Sequence, residues 1–196
     1  MKAYSELPAA YHEIRSIDLQ KDKKKALWIN GAASAGMILL AVIGHFCFVP
    51  VVEFFTGSAS DSLLGTLSKP LVLLVGMLAY IVLHELTHAA AMKAVGGTHV
   101  RFGFTGLYAY AGSERDWFDR NAYLLIALAP VVCWGLTFTI LLILVPRSWF
   151  WVVYILQIIN VTGSAGDFYV SWLAAHMPDR LLVRDTGVSM SFYLDS

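Results

Sequence analysis

The chain has 196 residues, 58% of them hydrophobic and 14% charged, and its 14 lysines and arginines balance its 14 acidic groups. A soluble domain carries about 25% charged and about 45–50% apolar residues, so this composition, with a mean hydropathy of +0.63, excludes an ordinary water-soluble globule and points to an integral membrane protein. A chain of zero net charge also lacks the electrostatic footprint of a nucleic-acid binder, so no nucleic-acid partner is expected.

Residues 1–25 are polar and charged, without the short apolar core of a signal peptide, and read as an N-terminal arm that is either a short surface helix or unstructured. Four apolar runs follow, near 26–52, 70–95, 122–145 and 149–175. Each is long enough to cross a hydrocarbon core of about 30 Å, which takes about 20 helical residues. Residues 176–196 are polar again. The expected organisation is therefore an arm (1–25), a four-span membrane domain (26–175) and a tail (176–196). Cys47 and Cys133, both in apolar runs, read as unpaired thiols.

Orientation follows from the basic residues. Lys2, Arg15, Lys21, Lys23, Lys24 and Lys25 lie in the arm, Lys93, Arg101, Arg115 and Arg120 around the linker 96–121, and Arg180 and Arg184 in the tail. Only Lys69 and Arg147 fall on the other side. Both termini are thus expected in the cytoplasm, with the protein multi-pass in the cell membrane. Within the linker, Val100-Arg101-Phe102-Gly103-Phe104 and Leu107-Tyr108-Ala109-Tyr110-Ala111 flank Thr105-Gly106, which reads as two short strands about a glycine turn. The expected fold is all-α, with about four transmembrane helices and one small β-hairpin in the cytoplasmic linker between spans two and three.

Span two contains His84-Glu85-Leu86-Thr87-His88. On a helix, residues four apart share a face, so the two imidazoles can bind one zinc ion while Glu85 serves as base toward a water. Ionisable groups in a segment otherwise fit for lipid are functional candidates by default. A catalytic zinc takes a third protein ligand, and depth in the membrane selects it. His88 comes eighteen residues after Pro70 on an inward-running span, and Asp167 eighteen residues after Trp149 on another. Both therefore lie about 27 Å from the outer boundary. Asp167 follows Gly163-Ser164-Ala165-Gly166, small residues that permit close helix approach or a local break. His99 and Glu114 in the linker are the weaker alternatives. Asn160, two turns before Asp167, is suited to holding the aspartate, to donating to a substrate carbonyl, or to joining helices. Pro130, within Ala127-Leu128-Ala129-Pro130, kinks its span or frees a backbone carbonyl for another partner.

Together His84-Glu85-Leu86-Thr87-His88, the hairpin-like linker, Ala127-Leu128-Ala129-Pro130, Asn160 and Asp167 resemble the site-2 protease superfamily of intramembrane zinc metalloproteases. The four-span size is most similar to a bacterial family of membrane zincin peptidases, formerly a domain of unknown function. The last core helix of the superfamily carries Asn, then Pro, then Leu-Asp-Gly; here Gly163 stands where the proline is expected, and Asp167 lies in Gly-Asp-Phe. The resemblance implies a zinc-dependent endopeptidase acting on membrane-anchored proteins within or beside their spans, with His84, His88 and Asp167 on zinc and Glu85 catalytic. The hairpin would then add an extended substrate as a further strand. The competing reading is a non-proteolytic membrane zinc protein: a transporter, a sensor or a scaffold.

Overall fold

The structure, a computed structural model, describes residues 1–18, 21–56, 62–104 and 109–195. In chain order it contains β1 (Ala3–Tyr4), β2 (Tyr11–Asp18), α1 (Lys23–Ile43), α2 (Val52–Thr56), α3 (Leu63–Ala94), β3 (Val100–Phe104), β4 (Ala109–Ser113), β5 (Trp117–Asp119), α4 (Arg120–Leu144), α5 (Phe150–Gly163), α6 (Ala165–Ala175), β6 (Leu182–Asp185) and β7 (Ser189–Asp195). A π-helical turn, Gly44–Phe48, continues α1, and a 3-10 turn, Arg147–Trp149, opens α5.

Four helical segments are long and apolar enough to cross a membrane: Lys23–Phe48, Leu63–Ala94, Arg120–Leu144 and Arg147–Ala175. They coincide with the four apolar runs and suggest a membrane protein. Polar caps set where three of them begin. Asp22 accepts the Lys25 N–H, Ser62 the Gly65 N–H, and Asp119 the Ala122 N–H, each satisfying a donor that the first helical turn leaves free. The helices keep large apolar side chains facing outward, among them Leu64, Leu71, Leu136 and Ile143, as a lipid environment permits. Cys47 and Cys133 are unpaired and also face outward.

The hairpin between the second and third spans is present. β3 and β4 pair antiparallel, with Phe102 opposite Ala111 and Gly103 opposite Tyr110. Its expected Thr105-Gly106 turn lies outside the described residues.

The all-α expectation fails. Besides the hairpin, a five-stranded antiparallel sheet runs in the order β1-β5-β6-β7-β2, so the fold is mixed α/β. The arm and the tail, rather than lying as a helix or loose chain, supply four of its strands. β2 runs against β7 from Tyr11 opposite Asp195 to Asp18 opposite Ser189. Sequence periodicity misses this because β2 buries a single residue, Ile17, so the alternation that marks a half-buried strand is faint. Its partner strand is also far away in the chain. Across the sheet Phe118, Val183 and Phe192 stand side by side. All three are fully buried, and they pack with Ala122, Tyr123, Ile126, Val170 and Ala174 of α4 and α6. The sheet thus shares one core with the ends of two spans. Arg120 ties the same corner together, giving its Nη1 to the Met177 carbonyl at 2.9 Å and pairing with Asp179.

Candidate metal centre

α3 carries His84, Glu85 and His88 on one face near its C-terminal end, and their donor atoms lie within 4.8 Å of one another. Across from them, the fourth span breaks. α5 ends at Gly163 and α6 starts at Ala165, with Ser164 at φ −79°, ψ 13°. The Ser164 hydroxyl donates back to the Asn160 carbonyl at 2.9 Å. The break puts Asp167 in the first turn of α6, where the helix dipole favours a carboxylate. His84 Nε2 lies 3.3 Å from Asp167 Oδ2, and His88 Nε2 3.5 Å from Asp167 Oδ1.

Those distances are long for a strong hydrogen bond. They match what two donors on one tetrahedral ion would show, since zinc–ligand bonds of about 2.0–2.1 Å separate adjacent donors by about 3.3–3.4 Å.

The far side of each imidazole agrees. His88 Nδ1 meets the Ile126 carbonyl at 2.9 Å. A carbonyl accepts, so Nδ1 carries the hydrogen and the lone pair is on Nε2, toward Asp167. That carbonyl is free because Pro130, four residues on, has no N–H to occupy it. His84 Nδ1 lies 2.9 Å from the Tyr80 hydroxyl, and that hydroxyl donates to Asn160 Oδ1 at 2.9 Å. With its hydrogen so directed, Tyr80 accepts from His84 Nδ1–H, which again leaves Nε2 bare. Asn160 is fully buried, and its Nδ2 is held by the Val131 carbonyl at 3.1 Å. Two neutral imidazoles in the metal-binding tautomer and one carboxylate form a set that fits zinc. Tyr80→Phe should lower zinc affinity by about 10- to 100-fold, as loss of an outer partner of a histidine ligand does. Competition with a fluorescent zinc chelator measures it.

Glu85 points to the hairpin, its Oε2 accepting the Ala111 N–H at 3.0 Å. On the same side the turn between β6 and β7 comes up against β4. A Cβ on Gly112 would stand 2.1 Å from the Thr186 carbonyl carbon, so only glycine lets the two backbones meet. Gly187, at φ +79°, makes the turn that brings them together. Between these elements lies a cavity of about 90 Å³, walled by Glu85, His88, Tyr123, Asp167, Asp185 and Gly187 among others. Asp185 Oδ1 accepts the Gly187 N–H at 2.8 Å, and burial pushes its carboxyl up to about 6.

The structure brings together His84, Glu85, His88, Asp167 and, through Tyr80, Asn160. It sets the other two candidates apart. His99 Nδ1 lies 3.2 Å from Asp116, whose carboxyl is held below its usual range by hydrogen bonds from His99, Ser113 and Thr98 that outweigh its burial. Glu114 is exposed and faces Arg101 at 3.7 Å. Tyr80, Tyr123 and Asp185 were not legible as site residues. Tyr80 had a signal, being four residues before His84 and so on its face. Asp185 had none, because it arrives on a strand of the unexpected sheet.

A family model described as "Putative zincin peptidase" matches residues 77–182, more than half of the chain. The chain belongs to that family. The family name implies zinc and supports a metallopeptidase, and the matched stretch holds His84, Glu85, His88, Pro130, Asn160 and Asp167. Comparison with the curated proteins and with the solved structures gives no match.

Proposed function

We propose that this protein is a zinc endopeptidase of the site-2-protease type, cleaving membrane-anchored proteins within or beside the bilayer. The observation that carries the reading is the convergence of His84 Nε2 and His88 Nε2 on Asp167, with Glu85 beside them and tied to the hairpin. Both termini and the metal centre are assigned to the cytoplasmic side. In support, the sheet unites the arm and the tail and shares a core with the ends of α4 and α6, and twelve of the fourteen basic residues belong to that side.

His84, His88 and Asp167 would hold the metal. Zinc held there would supply Lewis acidity, polarising a carbonyl and making a water more acidic. Glu85 takes a proton from the attacking water and passes it to the leaving nitrogen as the C–N bond breaks. Its carboxylate is aimed for this by the Ala111 N–H. β4 offers that N–H on the edge turned away from β3, which the turn between β6 and β7 covers at Gly112, and this fixes Glu85 against the hairpin.

Removal of the metal tests the reading. Full-length protein in liposomes, incubated with casein and with a synthetic single-span peptide, should cleave at least one of them. It should lose the activity to 1,10-phenanthroline and regain it with added zinc. Cleavage that persists in the zinc-free protein would sink the proposal. Bound zinc with no cleavage of either probe would favour the non-proteolytic zinc protein.

A further inference from the structure

As a peptide bond is hydrolysed, negative charge gathers on the scissile carbonyl oxygen, and a preorganised donor at that point is worth about 10²- to 10³-fold in rate. Asn160 is badly placed to provide one. It is fully buried, does not line the cavity beside Glu85, and gives an Nδ2 hydrogen to the Val131 carbonyl while its Oδ1 accepts from Tyr80. The donor has to come from elsewhere.

Tyr123 meets the requirement. Its side chain is fully buried, and its hydroxyl faces the Asp185 carboxyl without making a hydrogen bond of good geometry to any described residue. A buried hydroxyl left unsatisfied costs stability and asks for an explanation. The residue walls the same cavity of about 90 Å³ as Glu85, His88 and Asp167. Among the described residues, no other one with an unpartnered buried side-chain atom lines that cavity. The ring is also well fixed. It stands on α4 one turn before Ile126, whose carbonyl holds His88, and it meets Phe192 edge-on at 6.4 Å between centroids. One helical turn therefore positions both a candidate metal ligand and this hydroxyl.

We propose that Tyr123 is a catalytic residue, donating its hydroxyl hydrogen to the scissile carbonyl oxygen as charge develops there. The assignment rests on the peptidase reading above. Tyr123 keeps its proton throughout: the water's oxygen bonds to the carbonyl carbon, Glu85 carries the water's proton to the nitrogen, and the C–N bond breaks. Its hydroxyl only stabilises the oxygen between these events.

The experiment compares wild type with Tyr123→Phe in the full-length, zinc-loaded protein, by zinc content, by kcat and KM on the synthetic single-span peptide, and by affinity for a leucine-flanked phosphinic peptide. The tetrahedral phosphinyl group of that probe presents an oxygen where the substrate's oxyanion would be. With zinc content unchanged, Tyr123→Phe should lower kcat about 100-fold with KM within about twofold, and weaken phosphinic binding by about 10- to 100-fold. Unchanged phosphinic affinity at equal zinc content overturns the assignment, even if the variant is less stable, because the hydroxyl would then serve only the fold or Asp185. If the phenylalanine variant does not hold zinc, Tyr123→3-fluorotyrosine decides, since it keeps ring and hydroxyl but makes a stronger donor. Affinity that does not tighten with it counts against Tyr123. Wild type that binds the phosphinic peptide through Tyr123 but cleaves nothing upholds the donor and overturns the peptidase reading. Zinc-loaded wild type that binds no phosphinic peptide overturns both.

Discussion

Glu85→Gln is expected to lower peptide cleavage by about 10²- to 10⁴-fold, the usual worth of a general base, while zinc stays bound. Glutamine keeps the shape of glutamate, and its amide oxygen can still accept the Ala111 N–H that now reaches Glu85 Oε2 at 3.0 Å. The hairpin should therefore stay in place, and the loss would belong to the missing base rather than to a displaced strand. Initial rates on the single-span peptide, beside zinc content by atomic emission, measure the two effects separately. Activity within about twofold of wild type would remove Glu85 from the chemistry. Loss of zinc would make it a ligand instead.

That second outcome connects to the other large expected effect. Asp167→Ala should weaken zinc binding by more than the about 100-fold that an outer partner is worth, because it deletes one of three inner donors and leaves two imidazoles facing a gap. His84, Glu85 and His88 could in principle form a set of their own, with donor atoms within 4.8 Å of one another. The geometry favours Asp167. Each of its oxygens lies opposite a different Nε2, at 3.3 and 3.5 Å, while Glu85 is already engaged by the backbone of β4. Chelator competition on Asp167→Ala beside Glu85→Gln separates the two sets. Wild-type affinity in the alanine variant would transfer the third position to Glu85.

Much of the centre was legible in the sequence because its logic is local or a matter of length. The spacing of His84 and His88 is helical, and the depth of Asp167 follows from counting rise along a span. Pro130 is instructive here. Its effect on a carbonyl could be foreseen, but that the carbonyl is Ile126's and its new partner His88 depends on how α3 and α4 pack. Asn160 was visible as a buried amide, though its route to His84 through Tyr80 is again a matter of packing. The sheet was the larger omission. Strands such as β2 have little signal of their own, since most of their side chains face water and their pairing is with residues at the opposite end of the chain. Asp185 and the Gly187 turn, which complete the cavity, were hidden with it.

The distance over which that sheet is stitched bears on the order of assembly. Tyr193 on β7 donates to Glu13 on β2, 180 positions away. Contacts of such separation form late, because the loop between them must close before any pairing energy returns. The helical residues His84, His88 and Asp167, by contrast, need only neighbouring spans to pack. Newly inserted chains should therefore pass through a stage in which His84, His88 and Asp167 have already gathered but the wall bearing Asp185 and Gly187 has yet to dock. At that stage metal could enter from the side the sheet later covers, so the last fold to form would be the one that shuts the ion in.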